Sequence, residues 1–124
     1  MPPFSISSIL QLIVGLGLLN VWLLRASRST GYRGGEARSL KEEFAVYGLP
    51  EWFFHLVGAL KILSGVLLVM GLWVPEVVLP AAGLVIALML GAVSMHLKVN
   101  DPAVKSLPAT LMLLMAVAIF VLNL

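Results

Sequence analysis

Few residues in this chain are equipped for chemistry, and they fall in two short stretches. Glu51, Trp52, His55 and Lys61 stand within PEWFFHLVGALK, and His96 and Asp101 within MHLKVND. Two histidines and two carboxylates have the donor set of a transition-metal site, yet their spacings match no metal motif, so no metal is expected. No catalytic residue is assigned either, because nothing in these stretches spells out a reaction. The sharper expectation is a ligand site. A quinone headgroup, or another small amphiphile such as a lipid, would take hydrogen bonds from histidine and Lys61 beside Trp52.

Lys61 sets the problem that the rest of the chain must solve. It lies near the middle of WFFHLVGALKILSGVLLVMGL, residues 52–72. A helix of that length rises about 30 Å, the thickness of a bilayer's hydrocarbon core. A lysine at the midplane costs roughly 2.5 to 3.5 kcal/mol on insertion scales, so Lys61 is expected to face protein, water or a partner. On this helix His55, Gly58, Ile62 and Gly65 share a face, and Lys61 lies beside Gly58, Ser64 and Gly65 on the adjacent row.

Composition fixes the class in which such a helix belongs. The chain has 124 residues, 60% apolar and only 11% charged, with a mean hydropathy of +1.06. These values describe an integral membrane protein with no room for a separate soluble core. The absence of cysteine excludes a disulfide, a thiol nucleophile and a thiolate-held iron–sulfur cluster within the chain. Any redox role would need a centre borrowed from elsewhere.

The apolar pattern predicts one all-α domain, 1–124, built as a four-transmembrane-helix bundle with spans near 5–24, 52–72, 77–97 and 108–124. No basic segment precedes the first span, which argues against a cleaved signal peptide. In the first loop, Ala37, Leu40, Phe44 and Tyr47 form one apolar stripe. That stripe predicts a short amphipathic helix over 36–47, lying in the interface and ended by Gly48-Leu49-Pro50. On the third span, Gly83, Ala87 and Gly91 recur every four residues and predict a flat surface for close helix packing, within the bundle or between copies. Gly58 and Gly65 are expected to serve packing on the second span.

Seven of the eight basic residues lie in the first and third loops: Arg25, Arg28, Arg33, Arg38, Lys41, Lys98 and Lys105. The positive-inside rule then puts both termini and the Trp73–Glu76 turn outside, in a cell's inner membrane. Topology accounts for these charges without nucleic acid. The same orientation brings Glu51, His55, His96 and Asp101 to the cytoplasmic side, where with Lys61 they could line a cavity. Four short helices barely enclose a pathway, which favours self-association or assembly with other membrane-protein subunits.

The runs GLPEWFFHLVGALKILSGVLLVMGLW and GAVSMHLKVNDPAVKSLPATLMLLMAVAIFVL resemble the DoxX-like family of small four-helix membrane proteins, from about Leu16 onward. The resemblance rests on the Gly-Leu-Pro start of the second helix, Gly58 with Lys61, Gly91-Ala92, and the series His96, Asp101-Pro102, Leu107-Pro108. Some members carry a carboxylate where Lys61 stands. The family takes its name from a membrane subunit associated with thiosulfate:quinone oxidoreduction. The resemblance thus implies a four-helix bundle and an accessory or quinone-associated subunit of a membrane redox complex. The competing class is a stand-alone transporter or membrane enzyme acting as an oligomer.

Overall fold

The computed structural model describes residues 5–24, 42, 45–98 and 100–124. Four helices carry the fold: α1 (Ile6–Leu19), α2 (Glu51–Met70), α3 (Val78–Lys98) and α4 (Leu107–Leu122). Each lies in a helical segment long and apolar enough to cross a membrane, and no strand occurs among the described residues. The predicted 36–47 helix lies largely outside the described residues. Its end is described: Ala45 and Val46 are helical, and Tyr47 and Gly48 form a turn in which Gly48 takes φ +78° and bonds back to the Ala45 carbonyl at 3.0 Å. A left-handed glycine closing a helical turn is what Gly48-Leu49-Pro50 predicts.

Local chemistry sets the helix ends. Ser5 starts α1 by accepting the backbone N–H of Ser8 at 3.0 Å. α1 then widens into a π-helical turn over Asn20–Leu24, a departure from the uninterrupted helix the apolar run suggests. α2 begins after Pro50, with Glu51 placing a negative charge at the positive end of the helix dipole. A 3₁₀ turn over Pro75–Val77 leads into α3, and Pro108 sits in the first turn of α4, where its missing N–H removes no helical bond.

The C-terminus of α3 is decisive for the site. Asn100 adopts φ 57°, its N–H reaches the Leu97 carbonyl at 3.1 Å, and the Asp101 N–H reaches the His96 carbonyl at 3.0 Å. This paired closure is a Schellman motif with asparagine at the left-handed position. It folds Asp101 back onto the last turn, beside His96.

The helices pack as a ring. α1 lies against α2 and α4, and α3 lies against α2 and α4, so that among the described residues α1 and α3, like α2 and α4, stand diagonally opposite. Lipid offers no hydrophobic drive to bring helices together, so close fit has to do so. The closest fit is between α1 and α2: a Cβ on Gly15 would lie 2.9 Å from the Gly65 carbonyl, and one on Gly65 would lie 3.0 Å from the Gly15 carbonyl. The central core is apolar, with Val14, Leu18, Leu68, Val85 and Ile119 among its fully enclosed members. Leucines such as Leu16, Leu63, Leu90 and Leu114 point outward, as the lipid-facing side of a membrane bundle requires.

Polar groups join three helices at one end. Asn123 donates to Ser7 Oγ at 2.8 Å, Ser7 donates to Gln11 Oε1 at 2.7 Å, and the Gln11 amide donates to the Leu68 carbonyl at 3.1 Å. Leu68 lies in the last turn of α2, where carbonyls lack helical partners. Its neighbours Leu67, Val69 and Met70 are served by backbone N–H groups, so Gln11 completes the set.

Candidate functional site

The second apolar cluster gathers where α1 ends and α2 begins, around the buried Trp22 with Phe53, Phe54 and Val57 packed about it. The π-helical turn carries Trp22, and Gly58 admits it. A Cβ at residue 58 would sit 2.7 Å from the indole, closer than real contacts allow. One turn further along α2, the Lys61 ammonium lies over the same indole, 5.1 Å from its centroid. Such a cation–π contact contributes about 0.5 to 2 kcal/mol. Lys61 thus faces protein, as its position in an apolar span demands.

Lys61 also borders a cavity of about 250 Å³ between α2 and α3. From α2 the wall is Phe53, Val57 and Lys61; from α3 it is Ala87, Leu88, Gly91, Ala92 and Met95; Tyr47 and Leu49 complete it. Small residues on α3 make the space. A Cβ at Gly91 would meet nothing within 4 Å, and one at Gly83 would meet only Phe120, at 3.8 Å. The Gly83, Ala87, Gly91 row predicted as a close helix contact is therefore no such contact within the chain. Two of its members wall a cavity instead, because α2 and α3 stand apart at this depth.

His96 and Asp101 lie beside this cavity, joined to it by Tyr47. His96 Nδ1 and Asp101 Oδ2 are 2.8 Å apart, and both side chains are over nine-tenths buried. A carboxylate only accepts hydrogen bonds, so Nδ1 carries the proton and in the neutral ring Nε2 is left as an acceptor. The Tyr47 hydroxyl lies 3.4 Å from Nε2 and 3.5 Å from Nδ1, with the two rings edge to face. Tyr47 is held from behind, where Lys98 Nζ donates to its carbonyl at 2.8 Å. Lys105 Nζ stands 3.8 Å from the second Asp101 oxygen.

Glu51, Trp52 and His55 do not join this group. Glu51 and His55 form an exposed i,i+4 pair at 3.8 Å, and Trp52 is 66% exposed with its ring against Phe53. Helical side chains lean toward the helix N-terminus, which carries His55 to the aqueous rim, away from the buried face that Gly58 begins. The predicted cavity lined by all five polar groups is thus divided. Lys61 lines it, His96 and Asp101 stand behind Tyr47, and Glu51 and His55 lie outside. Among the described residues no cluster could hold a metal ion.

Nothing in the sequence marks Tyr47 or Trp22 as a site residue. Tyr47 fits the apolar stripe of the first loop, and its partner lies 49 residues away; Trp22 reads as an interfacial aromatic. The π-helical turn that aims Trp22 has no sequence signal of its own.

Four apolar spans packed in a ring define a small multi-pass integral membrane protein. The chain belongs to the DoxX-like family, whose profile matches residues 19–119. No curated protein and no solved structure matches it.

Proposed function

We propose that this chain is an inner-membrane accessory subunit that holds a small amphiphile, of the quinone-headgroup class, in the cavity beside Lys61, as part of a membrane redox complex. The observation that carries this reading is a mostly apolar cavity of about 250 Å³ with an ammonium and a tyrosine in its wall. Apolar walls suit a ring, and convergent polar groups suit its oxygens. The chain has no cysteine and so no thiolate-held redox centre of its own; in this reading a partner subunit supplies the electrons. Lipid is the competing occupant, and a quinone is favoured because the polar groups are few and suited to oxygen.

A short-chain quinone analogue titrated into the protein in nanodiscs tests this reading. Saturable quenching of tryptophan emission is expected, with Trp22 directly beneath Lys61. Lys61→Met should weaken binding on the order of tenfold, the worth of one hydrogen bond from a charged group. Quenching that never saturates, or that ignores Lys61→Met, would refute the assignment.

A further inference from the structure

We infer that Tyr47, His96 and Asp101 form a proton-accepting row that ends at the cavity, and that the cavity's occupant is a hydroxylated aromatic, a phenol or hydroquinone, which gives up its proton while bound. This rests on the cavity's being a ligand site and deepens it by naming the ligand's chemistry.

The order of the groups is the first support. Asp101, folded back by the Asn100 turn, accepts from His96 Nδ1 at 2.8 Å and so fixes the ring with Nε2 free of hydrogen in its neutral form. The same relation makes histidine a base in acyl-transfer enzymes, where a buried carboxylate steadies the imidazolium as it forms. Tyr47 both lines the cavity and touches this pair, with its hydroxyl 3.4 Å from Nε2 and 3.5 Å from Nδ1. That distance is long for a hydrogen bond, and such contacts commonly shorten once a ligand is in place.

The proton's path balances without any redox partner. The occupant's O–H bond breaks as its proton passes to Tyr47 Oη, while the tyrosine's own proton passes to His96 Nε2. The occupant is left as an oxyanion, Tyr47 is again a neutral phenol, and the new imidazolium lies against the Asp101 carboxylate. Lys61 supplies the second support, since its ammonium borders the same cavity and favours an oxyanion there. The other charged groups facing the row among the described residues are Lys98, bound to the Tyr47 carbonyl, and Lys105, near Asp101. Lys105 tempers the aspartate's charge without replacing its hydrogen bond to His96.

A 4-nitrophenol carrying a short alkyl chain is a suitable probe, because its neutral and anionic forms absorb at different wavelengths. With the full chain in nanodiscs, at a pH where the free probe is mainly neutral, the bound probe should show the anion's band. Its ionisation should be favoured on the order of tenfold over the free probe. Tyr47→Phe should return the bound spectrum toward the neutral form. Asp101→Asn, the more conservative change should Tyr47→Phe fail to fold, should do the same. An anion band equal in the native protein and in either folded variant overturns the inference, as does a bound probe that stays neutral. Gly91→Leu separates the two layers of the argument. If it abolishes binding of a probe that stays neutral, the cavity reading stands and the proton row falls; if the native protein binds no probe, both fall.

Discussion

At the residue scale, the site depends on contacts that leave no space for change. Gly58 is covered by Trp22, so Gly58→Ala must push the indole aside and carry the Lys61 contact with it. Overpacking of this kind costs about 1 to 3 kcal/mol, and a lower detergent melting temperature with altered tryptophan emission is the expected result. Gln11 is the corresponding residue at the far end. Gln11→Leu would strand the Leu68 carbonyl in an apolar setting, a loss of roughly 1 to 3 kcal/mol that thermal unfolding in detergent would register. Lys61 could be read from the sequence as the residue to explain, because a lone charge within an apolar run is costly wherever it points. Tyr47 could not, since its role comes from a contact with His96 far along the chain. In the sequence Gln11 is only a polar residue within an apolar run, and its partner is a backbone carbonyl that no side-chain pattern reveals.

At the element scale, two rows of small residues illustrate why one pattern supports two outcomes. Gly15 and Gly65 bring the backbones of α1 and α2 together, whereas Ala87 and Gly91 on α3 face α2 across open space. Intervals of four place small residues on one helix face; whether the neighbour closes on that face depends on the bulk around it. Here Lys61, Phe53 and Tyr47 in the wall accompany a gap that remains open. Gly65→Leu should therefore unfold or rearrange the bundle. Gly91→Leu should change the melting temperature little, because its side chain enters vacant space, and parallel melts of the two variants make the comparison. The four spans themselves were legible because a bilayer imposes their length and composition. The helix ends were legible where Gly48 and the prolines enforce backbone geometry, whereas the left-handed turn at Asn100 emerges only in the structure. The π-helical turn at Asn20–Leu24 was not, since its residues are as apolar as those of the helix before it.

At the scale of the whole molecule, the ring of helices puts the start of α1 and the end of α4 at one end, where Asn123 meets Ser7. Lys98, Lys105 and the Tyr47–His96–Asp101 row lie at the other. The positive-inside rule predicts that the site end faces the cytoplasm, where protons leaving the row would enter bulk water. Cysteine labelling in intact cells checks this: a cysteine at Glu76 should react with an impermeant reagent, and one at Ser29 should not. The reverse pattern would invert the orientation. The most direct test of the ligand site is the quinone content of protein purified from native membranes, measured after extraction for the native chain and for Gly91→Leu. Near-stoichiometric quinone with the native chain and its loss with a folded Gly91→Leu protein is the expected result. Equal quinone in both, or none with the native chain, would contradict a quinone site beside Lys61.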